Sequence, residues 1–344
     1  MFGIKRNQVI GVDIGSAAVK IVQLHKAANG WEVAAAGIVR TPGHSEKGAV
    51  QASVRAIQNC LEVSGGATRL AVCGVGGPES AIRGFELAAV EGPLLEETIL
   101  AETKHLNPFD TDDILFDYKL LSSSNGKMKG YVAAATNRLV KGKLHLIKKA
   151  GLKCAMIDLE ALSLINCRNE LEESEGEIST AIINIGNSCT TFVAEDKDKR
   201  PFVREIKFAG RDIIEALASA NGISSNEAEE YLFDKNGTKQ EYASILPIAC
   251  RQLAAEINKT LRFYDAQEKS SAVRQLLVCG GIATAKGLLD VLDKQLSAKA
   301  VLWNPFERMS LRCQRNPNEA LRNNIIRNSG PALAVAVGLA MRSI

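Results

Sequence analysis

The chain carries one short pattern twice, and this repeat constrains the fold more than any other feature. Residues 11–22 read GVDIGSAAVKIV, and residues 182–193 read IINIGNSCTTFV. With Asp13 aligned to Asn184, the identical pairs are Ile14/Ile185, Gly15/Gly186 and Val22/Val193. Each stretch is typical of a β-hairpin with a tight glycine turn, and similar elements follow both in the same order. The repeat therefore predicts two related lobes with a cleft between them.

The segment between the two halves has a different pattern. Residues 79–151 predict a strand, a helix, two hairpin strands and a second helix, which together make a small α+β module inserted between larger pieces. A chain of 344 residues is long enough for two or three domains of ordinary size. In the second half, residues 241–267 predict one long amphipathic helix with Pro247 in its first turn.

Composition and charge exclude some function classes. The formal net charge of +3 is small and the Lys and Arg residues are spread along the chain, which argues against nucleic acid as a partner. The eight cysteines form no C-x-x-C pair and mostly lie in apolar runs, which predicts reduced thiols in a cytoplasmic protein rather than a metal site. MFGIKRNQ lacks the apolar region of a secretory signal, and the longest apolar run, ALAVAVGLAM, is about half the length that crosses a bilayer. We therefore expect membrane contact only through a partner.

The two glycine turns have the chemistry of an anion site. A turn of this kind leaves successive main-chain N–H groups unpaired, and such nests bind anions. Gly15 lets the main chain approach a phosphate without a Cβ in the way, and Ser16 adds a hydroxyl donor. Asp13 is suited to holding water on Mg²⁺, and Lys20 is expected on the same strand face as Ile14, within reach of a phosphate. Because one such turn is common in plain hairpins, the prediction depends on its occurring twice.

Three other groups of residues each allow two interpretations. Gly280 and Gly281 either let a flat ligand lie against the main chain or form only a strand-to-helix turn. Asp158 and Glu160 are either cleft acids that order water or acids that favour a helix N-terminus. Glu229 either contacts a ribose or is an ordinary solvated helix residue.

Several longer motifs resemble one family. They are LNPFDTDDILFDYKLL (106–121), AGLKCAMIDLEALSL (150–164), FVREIKFAG (202–210), EAEEYL (227–232), TLRFYDAQ (260–267), CGGIATAKGLLDVL (279–292) and WNPF (303–306). Together with the two turns, they make the chain similar to the PilM family of type IV pilus assembly proteins. This family lies within the actin-like ATPase superfamily and is similar in fold to the cell-division protein FtsA. The motifs run in the order of the family and cover nearly the whole chain.

The resemblance implies a fold and a division into domains. The fold class is α/β, a two-lobed actin-like ATPase fold with duplicated ribonuclease-H-like subdomains and an inserted α+β subdomain of the FtsA type. Subdomain 1A is expected at 1–78, completed by 152–176 and the C-terminal helix 330–344, and the inserted subdomain 1C at 79–151. Subdomain 2A is expected at 177–213 and 270–329, and subdomain 2B at 214–269.

The resemblance also implies ATP with Mg²⁺ in the cleft. The residues expected to bind the nucleotide are Asp13, Gly15, Ser16, Ala17, Lys20, Gly186, Asn187, Ser188, Gly210, Glu229, Gly280, Gly281 and Ile282. Asp13 would also hold Mg²⁺ through water. Asn184 and Glu160 are the candidate catalytic residues.

A membrane-bound partner is implied as well. The N-terminal cytoplasmic peptide of PilN is expected to dock in a groove between the first subdomain and the insert. This would place a cytoplasmic scaffold peripherally at the inner membrane, with other inner-membrane and motor proteins of the pilus as further candidate partners.

Two residues depart from the family pattern. Relatives usually carry Asp at the position of Asn184, and Asn can orient water but cannot accept its proton at neutral pH. Relatives also tend to carry Lys at the position of Leu232, near the nucleoside. We therefore expect hydrolysis to be weak or absent, with at most slow ATPase activity. The alternatives are a nucleotide-independent adaptor of a related pilus or type II secretion system, and a phosphotransferase of the sugar-kinase type; filament formation stays open.

Overall fold

The computed structural model describes residues 8–41, 48–90, 93–106, 109, 113–124, 126–172, 179–233, 241–267, 271–311 and 318–342. The strands in these ranges are β1 (Ile10–Ile14), β2 (Ala18–Ala27), β3 (Gly30–Arg40), β4 (Leu70–Val75), β5 (Ser80–Ala88), β6 (Ile114–Ser124), β7 (Lys127–Thr136), β8 (Lys153–Leu159), β9 (Thr180–Ile185), β10 (Thr190–Glu195), β11 (Pro201–Ile206), β12 (Gln275–Cys279), β13 (Lys299–Leu302) and β14 (Ser310–Leu311). The helices are α1 (Ala49–Ser64), α2 (Pro93–Leu106), α3 (Asn137–Lys149), α4 (Glu160–Leu171), α5 (Gly210–Asn221), α6 (Ser225–Phe233), α7 (Glu241–Ala249), α8 (Arg251–Asp265), α9 (Leu288–Gln295), α10 (Glu319–Ser329) and α11 (Ala334–Ala340).

The first sheet has six strands. β1, β2 and β3 form an antiparallel meander, and β4 and β8 extend the sheet in parallel on the other side of β1. The order across the sheet is β14-β3-β2-β1-β4-β8, so the short edge strand β14 comes from the second half of the chain. β1 is buried along its whole length, as expected for a central strand that is covered on both faces.

The second sheet repeats this topology. Its order is β11-β10-β9-β12-β13, again an antiparallel meander followed by two parallel strands. The two orders coincide when β9 is matched with β1, apart from the added β14. The duplication predicted from the two hairpin motifs is therefore confirmed.

The insert has a sheet of its own, with the antiparallel order β5-β7-β6. Phe85, Ile99 and Val132 form the small core between this sheet and α2. The helix that follows, α3, instead buries Ile147 in the core of the first sheet. Helix α3, which the predicted insert 79–151 includes, thus packs with the first lobe. The domain limits stay predictions.

Helices α4 and α11 lie between the two large sheets. One apolar cluster joins side chains of both sheets and both helices, including Val72, Val75, Leu164, Ile182, Val193 and Leu339. A second cluster covers the other face of the second sheet, where α5 to α9 pack. The lobes are thus held together by a shared apolar layer.

The C-terminal helix approaches the first lobe at main-chain distance. A Cβ on Gly11 in β1 would overlap the carbonyl oxygen of Ala336, and a Cβ on Gly338 in α11 would overlap that of Ser163 in α4. Glycine at these two positions lets α11 rest directly on β1 and α4. This contact explains why the last helix belongs to the first lobe.

The prediction of a single helix over 241–267 is wrong. The chain forms α7 and α8, which are separated at Cys250. Pro247 lies inside α7, close to its C-terminal end rather than in its first turn. Proline has no N–H and cannot donate to the carbonyl oxygen four residues earlier, so Pro247 weakens α7.

The cysteines in the described ranges are free thiols, and five of the seven are buried. Burial raises the pKa of Cys60 and of Cys73 to about 12, so these side chains are neutral and poorly reactive. Cys313 lies outside the described residues. Among the helices that the structure describes, none has the length and apolar character needed to cross a bilayer.

We predict that Gly338→Ala destabilises the protein by about 1–3 kcal/mol, because the added methyl group must push α11 away from α4. Gly142→Ala in α3 is a matched control, since a Cβ at Gly142 meets nothing within 4 Å. It should stabilise by about 0.5–1 kcal/mol through helix propensity. Urea unfolding of both variants measures the two effects; equal changes would contradict the close approach of α11.

Candidate functional site

The first predicted turn joins β1 to β2. The N–H of Gly15 donates to the carbonyl oxygen of Ala18 at 3.0 Å, and the carbonyl oxygen of Ala17 accepts from Thr41 N at 2.9 Å. Ser16 and Ala17 are exposed at the tip of this turn. Two main-chain hydrogen bonds therefore hold the turn in place, and the side chain of Ser16 is exposed at its tip.

The second turn has the same internal geometry. The N–H of Gly186 donates to the carbonyl oxygen of Cys189 at 3.0 Å. The N-terminus of α5 then docks on this turn, because Gly210 N donates to Gly186 O at 2.9 Å and Arg211 N to Asn187 O at 3.0 Å. These bonds satisfy two N–H groups that a helix start leaves without partners. Gly210, a predicted site residue, is thus joined to the second turn.

The two turns meet each other across the cleft. Ser16 Oγ donates to Ser188 Oγ at 3.2 Å, and Asn187 Nδ2 donates to Ser16 Oγ at 3.2 Å. Residues that are far apart in the sequence are therefore in direct contact. The structure places the two repeats face to face, as the two-lobed prediction required.

Lys20 lies on a different strand face from the one predicted. The hairpin pairs Ile14 with Val19 and Asp13 with Lys20, so Lys20 shares a face with Asp13 and not with Ile14. The reason is that Ile14 and Val19 enclose an even number of residues, which reverses the parity between the strands. Lys20 Nζ donates to Asp13 Oδ2 at 3.0 Å. Burial alone would lower the pKa of Lys20, but the charge and hydrogen bond of Asp13 outweigh it and raise the pKa.

Glu160 is the acid of the cleft. It is the first residue of α4, and its carboxylate lies against β4 so closely that a Cβ on Gly76 would come within 2.6 Å of Oε2. Burial raises the pKa of Glu160 to about 7, and the nearby charge of Asp13 acts in the same direction. Lys143 and Lys20 act against this shift. Glu160 therefore exchanges its proton near neutral pH.

Asn184 lies in a row of polar side chains that crosses the second sheet. It is paired with Thr191 on β10, and Thr191 is paired with Glu205 on β11, so all three share one face. Glu205 accepts hydrogen bonds from Cys189 Sγ at 2.7 Å and from Thr191 Oγ1 at 3.2 Å. Burial raises the pKa of Glu205, and these hydrogen bonds oppose the shift. The second lobe thus carries its carboxylate two strands away from the position of Asn184.

The residues predicted for the nucleoside gather behind the second turn. Gly280 has φ of 104°, and a Cβ there would overlap the carbonyl of Ile185, so this position requires glycine. Ile282 is buried and would lie 3.4 Å from a Cβ on Gly210. Gly281 is exposed, and a Cβ on it meets nothing within 4 Å. Gly281 therefore lines open space beside the turn.

Glu229 pairs with a residue that the sequence did not indicate. Arg40, the last residue of β3, donates from both terminal nitrogens to the two carboxylate oxygens of Glu229, at 2.9 and 2.7 Å. This bidentate pair joins α6 of the second lobe to the first lobe. Glu229 is therefore part of an ion pair between the lobes and not a helix residue that contacts only solvent.

Two other candidates lie away from the turns. Asp158 accepts a hydrogen bond from Arg342 Nε at 2.6 Å and is a partner of the C-terminal segment rather than a cleft acid. Leu232 is buried in the core of the second lobe, so its departure from the family pattern concerns packing.

Sequence reasoning missed three contributors, namely Arg40, Lys143 and Glu205. Lys143 in α3 donates from Nζ to the carbonyl oxygen of Ile14 at 2.6 Å, next to the first turn. Strand alternation puts Glu205 on one face of β11, but only the pairing with β10 brings it to the second turn. Each of the three depends on long-range placement that no local pattern carries.

A family model for "Type IV pilus assembly protein PilM" matches residues 11–344. A solved PilM-PilN type IV pilus biogenesis complex is similar to this chain with a TM-score of 0.77 and 26% identity, over 98% of both chains. The ethanolamine utilization protein EutJ from Carboxydothermus hydrogenoformans shares the fold with a TM-score of 0.58 and 13% identity, over 98% of this chain and 90% of the other. A diol dehydratase-reactivating factor in nucleotide-free form also shares the fold, with a TM-score of 0.54 and 9% identity, over 96% of this chain and 98% of the other.

The family match extends over nearly the whole chain, and the duplicated sheets agree with it. The fold is two-lobed and actin-like. The chain belongs to the PilM family of type IV pilus assembly proteins.

Proposed function

We propose that this chain is a nucleotide-responsive scaffold of type IV pilus assembly. It binds ATP with Mg²⁺ between its two turns, docks the N-terminal cytoplasmic peptide of PilN, and hydrolyses ATP slowly or not at all. The contact of Ser16 with Asn187 and Ser188 carries this proposal, since it brings two anion-binding turns to one place.

The lobes must separate for ATP to enter. The Ser16 and Ser188 hydroxyl oxygens are 3.2 Å apart, which leaves no room for a phosphate between them. The hydroxyl groups of Ser16 and Ser188, which now contact each other, would then turn to phosphate oxygens. The bidentate pair of Arg40 and Glu229 also joins the lobes and opposes the same movement.

Asp13 suits a metal ion that stays hydrated. Its Oδ2 accepts from Lys20, while Oδ1 faces the turn, 3.8 Å from where a Cβ on Gly15 would lie. Mg²⁺ keeps several waters and takes few protein ligands, so one carboxylate oxygen beside the phosphate turn fits it. When bound, the ion would neutralise phosphate charge, and Lys20 would hold Asp13 in place.

The proposal of weak hydrolysis comes from the second lobe. The amide of Asn184 can orient a water molecule but cannot take its proton. Glu160 is the cleft residue able to do so, because its pKa of about 7 is close to the working pH. Any ATPase activity would therefore depend on Glu160, and its position against Gly76 limits how far the carboxylate can move.

The proposed binding of PilN rests on the family relationship. A relative 26% identical over 98% of both chains was solved as a PilM-PilN complex. We propose that this chain binds the N-terminal peptide of PilN next to the insert, which would bring the scaffold to the inner membrane. Cytoplasmic, peripheral location follows from this docking as part of the same proposal.

We expect titration calorimetry to show saturable binding of ATP with Mg²⁺ by wild type. Gly281→Leu should bind at least about tenfold more weakly, a loss of about 1.4 kcal/mol in binding free energy. A Cβ at residue 281 meets nothing within 4 Å, so the added side chain would extend into the open space beside the second turn. Gly142→Leu, on α3, is the matched control because a Cβ there also meets nothing within 4 Å, and this variant should bind like wild type. Absence of binding by wild type would favour the nucleotide-independent adaptor instead.

We also expect a pH dependence of stability that Glu160→Gln removes in part. Between about 4.5, the ordinary value, and about 7, the folded state keeps a proton on Glu160 that the unfolded state has lost. Stability therefore falls as pH rises through this window, by up to about 1.4 kcal/mol per pH unit for one proton.

Urea unfolding at several pH values between 5 and 8 would measure this slope. Glu160→Gln should flatten it, whereas Glu215→Gln, a change at an exposed carboxylate of α5, should leave it unchanged. Glu205 also has a raised pKa, so some slope should remain in the Glu160 variant. Parallel curves for wild type and Glu160→Gln would contradict the assigned cause.

A further inference from the structure

Helix α3 presents a continuous row of basic side chains to solvent. The residues at 138, 141, 142, 145, 148 and 149 are exposed, and their spacing of three and four residues puts them on one side of the helix. The opposite side of the helix buries Val140 and Ile147. The packing of these two residues therefore fixes which way the exposed side points. Its cations are Arg138, Lys141, Lys148 and Lys149.

No acidic residue of the helix balances this charge. Residues 137–149 contain neither Asp nor Glu. Arg138 pairs with Glu79 of the insert at 2.9 Å, but the three lysines of the exposed side form no ion pair with any of the described residues. Their positive charge is therefore available to an external anion.

Two exposed cations lie next to the C-terminal end of α3. Lys153 is the first residue of β8, and Arg69 immediately precedes β4. The N–H of Lys153 donates to the carbonyl oxygen of Arg69 at 2.8 Å, which holds the two residues side by side. They extend the row of cations from the helix to the edge of the first sheet. The basic face consists of these two residues and the four cations of α3.

Helix stability accounts for only part of the basic face. Lysines in the last turn interact favourably with the helix dipole, which explains Lys148 and Lys149. Arg138 lies at the N-terminal end, where the dipole favours acids instead. Arg138 and Lys141 are three residues apart and carry like charges, an unfavourable spacing within a helix. An anion outside the helix would relieve this repulsion.

We propose that the basic face binds directly to an anionic lipid bilayer. Charge complementarity carries this inference, because clusters of about four to eight Lys and Arg residues bind anionic lipid headgroups. Leu144 is 38% exposed at the edge of the face and would enter the headgroup region. Residues 137–149 contain no aromatic side chain on which a nucleic acid base could stack. The face therefore suits a bilayer better than single-stranded nucleic acid.

This contact goes beyond the proposed function, in which the membrane is reached only through PilN. Helix α3 begins directly after β7, the last strand of the insert, so the basic face lies beside the proposed docking site of the PilN peptide. A basic face alone gives weak and reversible binding to a bilayer. When the peptide is docked as well, each contact makes the other intramolecular, and the two together hold the protein more firmly.

The test is sedimentation of the full chain, without PilN or nucleotide, with phosphatidylcholine vesicles that contain about one quarter phosphatidylglycerol. Wild type should bind these vesicles and not vesicles of phosphatidylcholine alone. Replacing three lysines of the face by alanine should lower the partition coefficient at least about tenfold, since each lysine near such a surface contributes up to about fivefold. The substitutions are Lys141→Ala, Lys148→Ala and Lys149→Ala.

The matched control removes the same charge from the second lobe, at three exposed lysines, and should bind like wild type. Its substitutions are Lys259→Ala, Lys294→Ala and Lys299→Ala. A second pair of variants changes one position of the basic face, where a Cβ meets nothing within 4 Å. Gly142→Leu should raise the partition coefficient at least about threefold through its apolar side chain, whereas Gly142→Glu should lower it.

Salt should act in the same direction as the lysine substitutions. Raising the ionic strength from about 0.1 M to about 1 M shortens the screening length from about 10 Å to about 3 Å and should release wild type from the vesicles. Equal binding to vesicles with and without phosphatidylglycerol, or an equal loss in the two triple variants, would overturn the inference. Binding of a DNA duplex without binding of vesicles would overturn it as well. None of these outcomes bears on the proposed binding of ATP or PilN, because neither ligand is in the assay.

Discussion

The close approach of α11 to β1 and α4 is the constraint on which the rest of the structure depends. The chain leaves the first lobe after α4, builds the second sheet, and returns to place its last helix on the main chain of the first lobe, at Gly11 and Gly338. The lobes are thereby linked by two crossings and by one apolar layer. The lobes are thus joined through this layer, and their two turns are held together at the cleft by the hydrogen bonds among Ser16, Asn187 and Ser188.

The two lobes share a topology but distribute charge differently. In the first, the acid and its lysine are paired directly across one hairpin, as Asp13 and Lys20. In the second, the matching positions on β9 and β10 hold the uncharged Asn184 and Thr191. The carboxylate is that of Glu205, on the next strand, β11. The first lobe therefore offers a charge-balanced site beside its turn, whereas the carboxylate of the second accepts hydrogen bonds from Cys189 and Thr191. The two halves share a fold but differ in where they carry charge.

The turns and the order of the sheets were predictable from sequence because both follow from local patterns that occur twice. Lys20 was placed on the wrong face because the parity of a hairpin depends on the number of residues in its turn, which apolar alternation does not reveal. The packing of α3 on the first sheet could not be predicted, because its amphipathic pattern does not say which core its apolar face meets. The partners of Glu229 and Glu205 come from other elements of the tertiary structure, so no spacing in the sequence could have identified them.

The contacts that close the cleft differ in their response to salt. The pair of Arg40 and Glu229 is charged, and its arginine side chain is 73% exposed. At physiological ionic strength the screening length is about 8 Å, so added salt weakens an exposed pair of this kind. The hydrogen bonds among Ser16, Asn187 and Ser188 are between neutral groups and do not share this sensitivity. Ionic strength therefore acts on one edge of the lobe interface and not on the other, and the salt concentration becomes one determinant of how firmly that edge is held.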